Sequence, residues 1–242
     1  MISTLYDCFK PWSKTGSVYI LSDTHFDDTD CKLMSTDWIN PDEQVKIINS
    51  LVHKSDTLVL LGDVGNIDYV KRLKAGHKVL ITGNHDKGSS YYKRAYDLRI
   101  YPKDQYPNEK EFIIMLRNIF PDKIISYHEE YSFHSPFEYW KVKLDNNLFD
   151  EVYSGPLFIS DKLLLSHEPI YSDCWFNIHG HRHSDNKNTY KGENYFNCCA
   201  NVINYTPVNL KTLISSGILK NITSIHKQTI ERAVGAKEVK KH

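Results

Sequence analysis

Five times along the chain an apolar run stops and a cluster of short polar side chains follows at once. The run over 17–21 meets Ser22-Asp23-Thr24-His25, and 57–61 meets Gly62-Asp63. The run over 78–82 meets Gly83-Asn84-His85-Asp86, 163–166 meets His167-Glu168-Pro169, and 175–178 meets His179-Gly180-His181-Arg182-His183. Short apolar runs bounded in this way predict buried strands. Between the first two, Asn40-Pro41-Asp42-Glu43 predicts a helix start, with Asn40 as cap, Pro41 at the first helical position and acids in the first turn. Val45, Ile48, Leu51 and Val52 give that helix one apolar face, running to about His53. A short helix over 69–75, closed by Gly76, precedes the third run. The order over 17–82 is therefore β-α-β-α-β, which predicts a mainly parallel sheet with crossover helices. All three strands then deliver their polar residues to one carboxyl edge, where open α/β folds collect ligands.

Residues 88–147 break the rhythm. They hold Tyr91, Tyr92, Tyr96, Tyr101, Tyr106, Tyr127, Tyr131, Tyr139 and Trp140, with one helix predicted over 109–119 and stopped by Pro121. The segment reads as an insertion, either a cap offering stacking surfaces to a base or sugar or a subdomain whose tyrosines pack on each other. Beyond it, 157–160 and 163–166 predict a hairpin, and 195–201 and 202–205 predict further strand material, so the second half builds another sheet. Helical pieces are expected over 211–215 and 229–233, with a frayed tail over 235–242. The whole chain, 1–242, is read as one domain carrying this insertion.

Composition narrows the setting. Of 242 residues, 40% are hydrophobic and 25% charged, the balance of a soluble globular protein. Lys plus Arg and Asp plus Glu each total 30, so no global charge draws the chain to nucleic acid or an anionic membrane. Five cysteines form no C-x-x-C pair, and an odd number cannot all pair within the chain, which favours thiols in a reducing cytosol. No leader-like segment and no apolar run near the roughly 20 residues needed to cross a bilayer is evident. The expectation is a soluble, cytoplasmic protein with no membrane partner.

Seven donors stand just beyond the strands: Asp23, His25, Asp63, Asn84, His167, His181 and His183. One metal ion takes three or four protein ligands, so seven fit two ions sharing a bridging carboxylate. Carboxylate, imidazole and amide oxygen without thiolate favour Mn, Fe, Zn, Co or Ni over Cu(I) or an all-oxygen Mg or Ca site.

Asp-x-His at 23–25, Gly-Asp at 62–63, Gly-Asn-His-Asp at 83–86, the later His167 and Gly-His-x-His at 180–183 resemble the calcineurin-like metallophosphoesterases, motif by motif and in order, over roughly 18–207. The resemblance implies an α/β fold, a four-layer α/β/β/α sandwich of two mixed sheets, with the aromatic-rich segment inserted after the third motif. It implies two divalent transition metal ions, Mn first and Fe, Zn, Co or Ni as alternatives. Asp23, His25 and His183 would hold one ion, Asn84, His167 and His181 the other, and Asp63 both. His85 would be the catalytic histidine, contacting the phosphate or protonating the leaving oxygen.

Two departures from the family pattern stand out. Asn66 occupies the place of an acid that often orients the catalytic histidine; its amide can accept from His85 but lacks the charge that would raise the imidazole pKa. The arginine that often follows that acid is also absent. Arg182, between two histidines, reads as pointing outward; Asp27 and Asp28 read as solvent-exposed, and Cys198 and Cys199 as packing residues. The function expected is hydrolysis of a phosphomonoester or phosphodiester by metal-bound hydroxide. A small phosphorylated or nucleotide-like substrate is favoured and nucleic acid is less favoured. Alternatives are a nuclease, a protein phosphatase or a non-catalytic binding scaffold; the oligomeric state is open.

Overall fold

The computed structural model describes residues 1–34, 38–86, 97–121, 124–131, 138–144, 148–187 and 191–226. The chain divides into two compact units, residues 1–89 with 149–242, and residues 90–148. The helix expected over 229–233 and the tail over 235–242 lie outside the described residues. No helix of the described residues is long and apolar enough to cross a membrane.

The first unit is mixed α/β. Strands β1 (Val18–Leu21), β2 (Thr57–Leu60), β3 (His77–Ile81) and, after residue 148, β7 (Glu151–Tyr153) pair in parallel. β12 (Val208–Asn209) adds an antiparallel edge beside β1, giving the five-strand order β12-β1-β2-β3-β7. Leu21 pairs with Leu60 and Leu60 with Leu80, so the carboxyl ends of the first three strands stand level. All four residues of β2 are buried, which suits parallel strands covered on both faces. A four-strand sheet follows the order β11-β10-β9-β8, where β8 (Leu157–Ser160) is antiparallel to β9 (Leu163–Leu165). β9, β10 (Phe176–His179) and β11 (Tyr195–Asn197) are parallel. The two sheets meet through Ser22, whose N–H donates to Cys198 O at 3.0 Å and whose carbonyl accepts from Ala200 N–H at 2.8 Å.

Helix α1 covers Thr29–Met34 and α2 covers Pro41–Leu51. In α2 the Asn40 side chain accepts from Asp42 N–H at 2.8 Å, and Gln44, Val45 and Ile48 form the buried face. The helix expected over 69–75 is instead the single turn α3 (Ile67–Val70), because Asn66 takes the cap and accepts from Asp68 N–H. Strand structure expected over 195–205 ends at Asn197. Beyond it Val202 and Ile203 N–H groups turn back to Cys199 O and Tyr205 N–H to Ala200 O, with positive φ at Asn204 and Tyr205. Local turn bonds override the β propensity of Val202 and Ile203 there. The expected helix over 211–215 is α5 (Leu210–Ser215), capped by Asn209.

The second unit has its own core. β4 (Asp97–Pro102), β6 (Glu138–Leu144) and β5 (Ile124–Tyr131) form an antiparallel sheet in that order, and α4 spans Glu109–Ile119 as its pattern predicts. Phe112 and Leu116 of α4 pack with Trp140, Val142 and Leu144 of β6, joined by Tyr101, Tyr106 and Tyr127. The Phe112 and Trp140 rings stack at 5.2 Å, and Trp140 Nε1 donates to Tyr106 O at 2.9 Å. Of the two sequence readings of this segment, mutual packing accounts for Tyr101, Tyr106, Tyr127 and Trp140; Tyr91, Tyr92 and Tyr96 lie outside the described residues.

Candidate metal centre

The pairing of β1 with β2 does not stop where the strands do. Leu61 N–H donates to Leu21 O at 2.9 Å, Asp23 N–H to Gly62 O at 3.0 Å and His25 N–H to Asp63 O at 2.9 Å. The two loops run side by side, and Asp23, His25 and Asp63 leave them together. They do so from left-handed backbone, with φ of 54°, 38° and 49°, a region that non-glycine residues seldom occupy. Gly62 has φ 92°, and a Cβ there would stand 2.8 Å from His167 Nδ1, so only glycine lets the loops close on the site. Asp86 ties the β3 loop to the β2 loop by accepting from Gly83 N–H at 2.8 Å, Asp63 N–H at 2.9 Å and Val64 N–H at 3.0 Å. From the other sheet, Gly180 N–H donates to His167 O at 2.9 Å, holding the β9 and β10 ends together.

These loops bring six of the seven expected donors into two adjacent groups and set Asn84 beside His167 of the second. Asp23, His25 and His183 form one and Asp63, His167 and His181 the other, with ligand atoms in each within 4.8 Å of one another. His183 Nε2 lies 3.1 Å from Asp23 Oδ1. His167 Nε2 faces Asn84 Oδ1 at 2.8 Å, His181 Nδ1 at 3.2 Å and Asp63 Oδ2 at 3.3 Å. Asp63 Oδ2 also stands 3.7 Å from His25 Nε2, between the two groups. His85 is exposed at the rim, its ring 5.7 Å from that of His25 and its N–H donating to Asp63 Oδ1 at 2.9 Å.

Electrostatics hold the site together. Burial alone would raise the Asp23 carboxyl, but the His183 and His167 imidazoles overcome it and bring it down to about 2. Burial also raises the Asp63 carboxyl, and His167 with the His85 N–H outweighs it, so it too is lowered. The His167 imidazole, pushed down by burial, is carried up to about 9 by Asp63 and Asp23. His183 is likewise raised, with Asp23 overcoming burial. His167 Nδ1 donates to Leu61 O at 2.8 Å, so the charged form of the ring directs its second N–H, on Nε2, toward Asn84 and Asp63.

The residues fit divalent ions on their own terms. Asp23 Oδ1 and His25 Nε2 are buried without a hydrogen bond of good geometry among the described residues, although each faces the cluster. Buried polar atoms are seldom left so, and a cation among carboxylate, imidazole and amide donors would satisfy both.

Several neighbours differ from the sequence reading. The Asn66 side chain is engaged by Asp68 N–H and by Asp27 at 3.5 Å, so its amide serves the start of α3. Asp28, expected in solvent, places Oδ2 3.0 Å from His25 Nδ1. Cys199, expected only to pack, donates its thiol to Asp23 Oδ2 at 3.2 Å. No local signal marks Cys199, because the contact spans sheets 176 residues apart in sequence. Arg182, by contrast, is exposed as its position between two histidines predicts and bonds Tyr171 and Asp185, and His179 is buried with Nδ1 on Gly180 O.

A parallel α/β sheet with carboxylates and imidazoles gathered at its strand ends defines a candidate metal-dependent hydrolase. The chain belongs to the calcineurin-like phosphoesterase family, whose sequence model matches residues 16–195. The family carries out metal-dependent phosphoester hydrolysis. A solved structure of a protein of unknown function from Aquifex aeolicus is similar at 19% identity and a TM-score of 0.49, covering 82% of this chain and 98% of that one. No curated protein matches the chain.

The His167 pairing makes a signed prediction. Its folded-state pKa stands above 6.5, so the stability it contributes to metal-stripped protein is fully present below about pH 6.5 and lost as pH rises through about 9. The Tm of metal-stripped protein should fall by several degrees across that window in thermal melts. A flat Tm would refute the pairing.

Proposed function

We propose that the protein hydrolyses the phosphoester bond of a small phosphorylated or nucleotide-like compound, using two divalent transition metal ions with Mn the first candidate. The observation that carries this reading is the position of Asp63 Oδ2, 3.7 Å from His25 Nε2 and 3.3 Å from His167 Nε2. On this reading Asp23, His25 and His183 hold one ion, Asn84, His167 and His181 hold the other, and Asp63 is shared. The bound ions would polarise the phosphoryl oxygens and supply an activated water as nucleophile. Asn84 adds a donor without a negative charge, which keeps the centre attractive to an anionic phosphate. His85, exposed at the rim, delivers a proton from an imidazole nitrogen to the leaving oxygen.

A cavity of about 250 Å3 beside Asn84 and His167, bordered by Thr82, Ser154, Ser166 and Glu168, supports a small organic group on the substrate. A larger cavity, about 880 Å3, is lined only by residues of the second unit and includes none of the seven donors. Net charge of zero supports a compact substrate over nucleic acid and, with the cysteine usage, a cytoplasmic setting. The five- and four-strand sheets are read as the inner layers of an α/β/β/α sandwich, with 88–147 as its insertion.

Metal-stripped protein resupplied with manganese should turn over p-nitrophenyl phosphate or bis-p-nitrophenyl phosphate. Metal uptake without turnover of either ester under any first-row ion would favour the scaffold reading. Asp63→Ala should lower both metal content, read by elemental analysis, and kcat/KM by more than about 100-fold; unchanged occupancy would sink the shared-ligand role. His85→Ala should keep both ions while slowing esters of poor leaving groups by about 10²–10⁴-fold and good ones much less. Equal slowing across leaving groups would count against proton delivery.

A further inference from the structure

We infer that Asp28 is a positioning residue, whose carboxylate fixes the ring tautomer of His25 so that Nε2 is presented bare to the first group of donors. The inference rests on the metal reading above for its purpose, though not for its geometry. Asp28 Oδ2 lies 3.0 Å from His25 Nδ1, and its other oxygen accepts from Asp30 N–H at 3.0 Å. The Cys31 sulfur lies within 4.8 Å of the same carboxylate. An ionised carboxylate only accepts, so the proton of a neutral His25 ring sits on Nδ1. Nε2 is then a lone pair, and it is this atom that is buried without a hydrogen bond and faces Asp63 Oδ2 at 3.7 Å.

The ring has little freedom to turn away. The Trp38 ring meets it edge-on at 5.7 Å, and the His183 ring lies 5.1 Å from it. A carboxyl group in its ordinary range is ionised at neutral pH. A charged acceptor does more than a neutral one, since it also makes the opposite nitrogen a stronger donor to a metal.

A merely structural role predicts something different. Asp28 Oδ1 serves the first turn of α1, so its loss would remove a cap. Asp28→Ser retains an oxygen for that cap but loses the charge facing His25, and its hydroxyl can donate as well as accept. Asp28→Ala removes both. Two measurements on the full chain separate the roles: ring-nitrogen NMR shifts of His25 in metal-free protein, and manganese affinity by titration. Wild type should show His25 protonated on Nδ1. Both variants should lose that single-tautomer signature and bind manganese about 10–100-fold more weakly. Full recovery of affinity and tautomer in Asp28→Ser would reduce Asp28 to a cap, and an unchanged tautomer in Asp28→Ala would overturn the inference. If wild type takes up no metal, the proposed function fails, while the tautomer comparison still decides whether Asp28 sets the ring.

Discussion

Two carboxylates that have almost no contact with water govern this structure. Asp23 is 0% and Asp63 1% exposed, and burying an ionised carboxylate costs several kcal/mol unless charge and hydrogen bonds replace the lost water. The fold supplies both. Asp23 Oδ2 accepts from His181 N–H at 2.9 Å and from the Cys199 thiol, while Asp63 Oδ1 accepts from His85 N–H. Imidazoles from both sheets then crowd the remaining oxygens. Even so, each carboxylate raises the energy of the other, and Asp23 Oδ1 lacks a well-aligned donor. A cation beside Asp23 Oδ1 would supply the partner that this oxygen lacks.

The backbone accommodates this demand at the strand ends. Asp23, His25, Asp63 and His181 all have φ between 38° and 66°, each costing on the order of 1–3 kcal/mol. Such conformations persist only where neighbours leave no alternative. Here the alternatives are closed by the continued β1–β2 ladder and by Asp86, which holds three N–H groups from two loops on one carboxylate. Gly180 shows the same constraint from the opposite sheet, since a Cβ there would run into Ser22 Oγ and Asp23 Oδ2. Strain and close approach coincide with the chemistry, and the regular strands behind carry the stability.

What could be read from the chain follows from this division. The strands 18–21, 57–60 and 77–81 and the helices 41–51 and 109–119 announce themselves by pattern and caps, and parallel strands in level register send their polar termini to one edge. Asp23, His25, Asp63 and Asn84 follow from that, and His167, His181 and His183 from the apolar runs of β9 and β10 in the other sheet. Asp28 and Cys199 do not, because their partners are set by left-handed turns and by contacts across sheets that leave no periodic mark. Asn66 is ambiguous for a related reason: an Asn can face a histidine or cap a helix, and the four residues after it decide in favour of the cap. Aromatic richness in 88–147 was equally ambiguous, since the same rings suit a ligand surface or a core; Phe112 and Leu116, spaced four apart on α4, turn Trp140 and its tyrosine neighbours inward.

The histidines themselves show how far the site is prepared before any ion arrives. Three of the four donor imidazoles have one nitrogen occupied by a group outside the cluster, and each by a different chemistry. His25 Nδ1 faces the Asp28 carboxylate, His167 Nδ1 the Leu61 carbonyl at 2.8 Å, and His183 Nδ1 the Asn201 amide oxygen at 3.3 Å. Each acceptor orients the ring and turns the opposite nitrogen toward a buried carboxylate, so little rearrangement is needed for binding. The three are not equivalent in strength. A carbonyl or amide fixes orientation, whereas a carboxylate also adds electron density to the ring, and only His25 receives that. His25 is also the ring whose inward nitrogen looks toward Asp63, the carboxylate lying between the two groups. The strongest outer partner therefore backs the imidazole whose inward nitrogen faces the carboxylate between the two groups.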